Sequence, residues 1–166
     1  MEKKLVKRLA FAGILIAVGV VCSPFSIPVG LSKCSPVQHM VNVLAAVFLG
    51  PWYGFGMAFV TSLIRVLLGT GSFLAFPGSM CGALFCGLVY QYTKNEWLTY
   101  LGEIFGTSVI GGLLAYPVAT LLMNKTAALF GYVLPFFVST VGGTIFAAVI
   151  IFLLKRTKVL QKIQLH

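Results

Sequence analysis

Three strongly polar side chains, Gln38, His39 and Asn42, open a run that is otherwise apolar enough to enter a lipid bilayer, KCSPVQHMVNVLAAVFLG. On a helix Gln38 and Asn42 are four residues apart and His39 and Asn42 three, so all three line one flank, continued by Ala45 and Ala46. Amide and imidazole groups are costly in such surroundings and imply partners or a ligand. Hydrogen bonding to a small polar molecule is the chemistry that this set offers. Bland readings remain beside it: His39 can satisfy a loop carbonyl at a helix end, and Arg65 can snorkel to lipid headgroups.

Catalysis fits the inventory poorly. Two histidines, one of them His166, and three acids form neither a metal cluster nor a carboxylate pair, so no metal and no cofactor is expected. His39 with Ser72 or Ser79 is a conceivable nucleophile pair, but nothing suggests an oxyanion hole. No Gly-rich phosphate loop ending in Lys-Ser/Thr occurs, so ATP hydrolysis would fall to another subunit. The four cysteines lack metal-ligand spacing: Cys22 and Cys34 flank one loop, and Cys81 and Cys86 are five apart on one helix.

The 166 residues are 59% hydrophobic and 9% charged, with a mean hydropathy of +1.01, too few charges to clothe a water-soluble globule. An all-α integral membrane protein is expected, a single domain of six transmembrane helices at about 5–22, 36–50, 52–68, 77–92, 97–123 and 132–154. The apolar run after Lys7 and Arg8 lacks a small-x-small cleavage site and reads as a retained first helix. Pro24, Pro28 and Gly30 make 23–35 a loop, and Pro77 is expected to open the fourth helix.

Both termini are expected in the cytoplasm, because that places nine of the twelve basic residues inside and leaves Lys33, Arg65 and Lys125 outside. The net charge of +9 then follows from anionic lipid and the positive-inside bias, without nucleic acid. The same orientation gathers Gln38, His39, Asn42, Arg65, the 69–79 loop, Tyr116 and Thr120 in the outer half. Glu103, roughly 20 Å along its helix from Tyr116 at 1.5 Å per residue, is expected in the inner half. Small residues form close-packing faces: Ala10, Gly13 and Ala17; Ser79, Ala83 and Gly87; Glu103, Thr107 and Gly111; Ser139, Gly143 and Ala147. Polarity confined to one end suggests a pocket with a closed floor rather than a channel, suited to a small, neutral heterocycle.

The segments CSPVQHMVNVLAAVFLGPWYG, SLIRVLLGTGSFLAFPGSMCGAL and GEIFGTSVIGGLLAYPVA resemble the ThiW family, substrate-binding S-components of energy-coupling factor (ECF) transporters. The resemblance implies a bacterial plasma-membrane protein that captures a vitamin or precursor outside. It implies docking on a module of one transmembrane coupling protein and two ATPases, and the thiamine precursor hydroxyethyl-methylthiazole as substrate. Small residues of the first helix, here Ala10, Gly13 and Ala17, would form the docking surface, with Gly13-xxx-Ala17 replacing the family's Ala-xxx-Ala. The loop 23–35 would cap the pocket. Substrate contacts are then expected from Gln38, His39, Asn42, Arg65, Phe76, Ser79 and Tyr116. Hydroxymethylpyrimidine and thiamine are the alternative substrates, thiamine being cationic and in want of an outer acid. A structural membrane subunit with no small ligand is the alternative of another class.

Overall fold

A computed structural model describes residues 2–30, 32–126 and 128–157, so that Lys158, Lys162 and His166 lie outside the described residues. Six helices dominate: α1 Glu2–Val21, α2 Pro36–Phe48, α3 Pro51–Leu67, α4 Ala75–Thr93, α5 Glu96–Leu122 and α6 Val133–Arg156. Prolines open α2 and α3 in the first turn, where a missing N–H costs nothing. Gly50, at φ +90°, makes the corner between those two helices, a conformation that side chains rarely adopt. The fourth helix starts two residues before Pro77, which sits third in the first turn, still among N–H groups that have no intrahelical acceptor.

The segment expected as a loop of restricted conformations contains a strand pair. A short turn at Ser23–Phe25 leads into an antiparallel hairpin, β1 Ile27–Val29 and β2 Ser32–Cys34, with Ile27 opposite Cys34 and Val29 opposite Ser32. Two side-chain bonds fasten it: Ser23 Oγ donates to Thr70 Oγ1 at 2.7 Å, and the Ser35 N–H to Ser139 Oγ at 2.7 Å. The hairpin therefore sits over the ends of α3 and α6.

At the centre lies α2, with every residue from Val41 to Phe48 buried. Its 13 residues make it shorter than a membrane span of about 20 residues, and the other helices enclose it. Helices α5 and α6 are each long and apolar enough to cross a membrane. Their outward faces expose Leu101, Phe105, Leu114, Phe146 and Phe152, apolar surface that lipid would cover.

Glycines set how closely the helices approach. A Cβ on Gly87 would meet Pro51 Cα at 2.5 Å, and one on Gly111 would meet Gly78 Cα at 2.6 Å, so α4 packs against α3 and α5 almost backbone to backbone. Because Pro51 is rigid backbone, Gly87→Ala is expected to lower stability by about 1–3 kcal/mol, visible as an earlier thermal unfolding transition in detergent. Helix α5 widens to i→i+5 hydrogen bonding at Gly106–Gly111 and again at Val118–Leu122, flanking Pro117, which lacks a donor. Each widened turn shifts the side chains beyond it around the helix axis.

At the other end of the bundle Trp52 and Trp97 are exposed, as expected of interfacial anchors. Lys155 Nζ pairs with Glu96 Oε1 at 2.7 Å, joining the end of α6 to the start of α5. The lysine is half exposed, so Glu96→Gln should change stability by less than about 1 kcal/mol in the same unfolding assay.

Candidate functional site

Helix α2 brings its polar flank against α3, α4 and α5, and each of the three side chains finds partners there. The Gln38 amide bridges two helices. Its Oε1 accepts from Arg65 Nη1 at 3.2 Å, and its Nε2 donates to Ser79 Oγ at 2.9 Å. Asn42 lies one turn deeper, donating from Nδ2 to the Ser79 carbonyl at 3.1 Å and to Glu103 Oε1 at 3.0 Å. His39 Nδ1 stands 2.9 Å from the same Glu103 oxygen, and Thr107 Oγ1 donates to it at 3.2 Å.

Three groups thus converge on one carboxylate oxygen at a fully buried position, while Glu103 Oε2 has no hydrogen-bond partner among the described residues. Gly82 makes room for this carboxyl group. A Cβ there would lie 2.8 Å from both Glu103 oxygens and would overlap the Thr107 hydroxyl. The result is a continuous polar chain through the interior, from Arg65 through Gln38, Ser79 and Asn42 to Glu103 and His39.

Above this chain, beneath the hairpin, is a cavity whose space, counted out to its open mouth, is about 480 Å³. The room it leaves for the centre of a water-sized molecule is about 40 Å³, so the cavity is small and excludes a peptide or lipid tail. Gln38, His39, Arg65 and Ser79 face it, and so do Ser32 and Lys33 of β2, Ser72 of the α3–α4 loop, Thr107 of α5 and Phe136 and Ser139 of α6. The hairpin forms its roof.

Of the seven substrate contacts expected from the sequence, four are therefore on the cavity wall and Asn42 lies immediately beneath it, 1% exposed. Phe76 and Tyr116 are not on the wall. Phe76 packs its ring against Phe59 and Phe73, at centroid distances of 5.6 and 6.4 Å. Tyr116 is partly buried further along α5, where its carbonyl accepts the Thr120 hydroxyl. Glu103 requires a correction: expected in the opposite half from the polar residues, it is the acceptor on which they converge.

Both displacements have one cause, which is that the cluster lies deeper than the end of the bundle. Asn42 is six residues past the start of α2, about 9 Å down its axis, and Glu103 is seven residues past the start of α5, which runs up from the other end. The stripe Glu103, Thr107, Gly111 carried the signal in the sequence, as Ser139 did on its own small-residue face. Spacing alone did not say at what depth those stripes meet α2.

Ala10, Gly13 and Ala17 are exposed on α1, and nothing lies within 4 Å of a Cβ placed on Gly13. Ala12, Leu15 and Gly19 form the opposite, buried face of the helix, where a Cβ on Gly19 would meet Thr61 of α3 at 2.9 Å.

Two helices long and apolar enough to cross a membrane, beside a buried polar chain with a small cavity at one end, fit an all-α membrane protein. A family model, described as thiamine-precursor transporter protein (ThiW), matches residues 9–157. The chain belongs to this ThiW family and is accordingly a thiamine-precursor transporter of the membrane, a class that is not enzymatic. Neither the curated proteins nor the solved structures contain a match.

Proposed function

We propose that the protein is the substrate-capture subunit of an ECF-type uptake transporter in the bacterial plasma membrane, and that its ligand is hydroxyethyl-methylthiazole. In this reading all six helices span the membrane, both termini are cytoplasmic and the hairpin end faces outward. A separate coupling protein and two ATPases supply the energy.

The observation that carries the reading is the cavity under the hairpin, walled by Gln38, His39, Arg65 and Ser79 on three different helices. Partners from separate helices hold these side chains in place before any ligand arrives, which lowers the ordering cost of binding. The thiazole ring would lie toward Phe136, and its nitrogen and hydroxyl would bond Gln38 or the serine hydroxyls. Water leaves the cavity as the hairpin seats, and those bonds strengthen. The sites for Phe76 and Tyr116 proposed from the sequence would then require the ligand to reach past the present wall.

The decisive experiment is thermal unfolding of the purified protein with hydroxyethyl-methylthiazole, hydroxymethylpyrimidine and thiamine in parallel. Ligand at a hundred times its dissociation constant adds about 2.7 kcal/mol of stability, a clear shift. A shift with the thiazole alone supports the assignment, and a shift with thiamine alone replaces it. Glu103 lies just below the cavity, but Arg65 and Lys33 on the wall oppose a cationic ligand. Silence from all three removes the substrate and favours a structural subunit. Gln38→Ala is expected to weaken thiazole binding about tenfold, since it removes both a wall contact and the anchor of Arg65. Unchanged affinity would place the ligand elsewhere.

A further inference from the structure

Arg65 is 4% exposed, and among the described residues its charge has no acidic counterpart. Nη1 bonds the neutral amide of Gln38, and Nε is buried without any partner. No described carboxylate pairs with it, although a buried guanidinium is ordinarily matched by an anion. The whole chain has three acids. Glu2 opens α1 at the far end of the bundle, Glu96 is held by Lys155, and Glu103 is engaged by His39, Asn42 and Thr107.

The rest of the wall has the same character. Lys33 reaches the cavity from the hairpin, five serines line it, and none of its lining residues is acidic. Ser139 Oγ already accepts from the Ser35 N–H, so its own hydroxyl proton is left to donate. The wall is a set of donors and cations in search of an acceptor.

We propose that the ligand itself supplies the missing negative charge, through an oxyanion that seats against Arg65 and Lys33 with the serine hydroxyls around it. This inference rests on the ligand-capture reading above and sharpens its substrate class. The form of the thiazole precursor that fits is the phosphomonoester of its hydroxyethyl group rather than the free alcohol. A planar guanidinium whose Nε–H has no partner among the described residues suits a phosphate oxygen, and charge-assisted bonds of this kind are about twice as strong as neutral ones. Gln38 then has a second task, that of fixing the guanidinium from its Nη1 side.

The test is titration of the purified full-length protein with hydroxyethyl-methylthiazole and with its phosphomonoester, read by calorimetry at low and raised salt. The phosphomonoester is expected to bind at least about tenfold tighter, with a preference that shrinks as salt rises. Arg65→Gln should bring the two affinities close together, because it weakens the phosphomonoester far more than the alcohol. Should Arg65→Gln fail to fold, Lys33→Gln on the exposed hairpin carries the same comparison and should reduce the preference several-fold. Equal or tighter binding of the alcohol by the unaltered protein overturns the inference and leaves thiazole capture standing. A preference that neither substitution changes overturns it as well. If neither compound binds, thiazole capture falls together with it.

Discussion

Glu103→Ala is expected to destabilise the protein by about 3–5 kcal/mol, the range for removing one partner from a buried charged network. Glu103 is fully buried, and its Oε1 is the acceptor for His39, Asn42 and Thr107. Truncation would leave the His39 ring and the Asn42 amide facing a void between α2 and α5. Thr107 could turn back to its own helix, so the cost falls mainly on α2. Glu103→Gln should recover more than half of the loss, because an amide oxygen still accepts, although its NH₂ group would then occupy the unpartnered Oε2 position beside Gly82. The measurement is thermal unfolding in detergent, with helix content as the readout. An alanine variant that unfolds within a degree of the parent would show that these bonds do not hold the helices together.

Gly13→Leu and Ala17→Leu should each reduce cellular uptake more than about tenfold, while ligand-induced stabilisation of the purified protein stays as it was. The separation follows from which side of α1 these residues occupy. Both are exposed, with nothing near Gly13, so a leucine strains nothing within the chain and should alter its stability by no more than about 0.5 kcal/mol. What it removes is the close backbone approach that a small-residue face permits to a partner helix. Ala12→Leu, on the buried face, is the control and should damage folding instead. Loss of ligand binding in parallel with uptake would remove α1 as the docking surface.

Much of the fold was legible because its signals are local. Apolar runs, prolines in first turns and the Gly50-Pro51 break located six helices to within a few residues at each end. The polar flank of α2 was visible in the spacing of Gln38, His39 and Asn42, and Gln38 bonds both Arg65 and Ser79 in the structure. Ala10, Gly13 and Ala17, like Ser79, Ala83 and Gly87, were each legible as one face, since helical period assigns each residue a side. That the first set is exposed and the second buried came from the tertiary structure.

Depth was another matter. Helical period says which way a side chain points but nothing about how far one helix slides along its neighbour. That offset comes from the close contacts at Gly87, Gly111 and Gly78, from the shortness of α2 and from the widened turns of α5. Tertiary packing therefore decided that Glu103, not Tyr116, faces Asn42, and that Phe76 joins an aromatic cluster away from the cavity. It also decided that Arg65 turns inward to Gln38 instead of outward to lipid, because the loop after α3 folds back over it, its Thr70 and Gly71 N–H groups bonded to the Arg65 carbonyl.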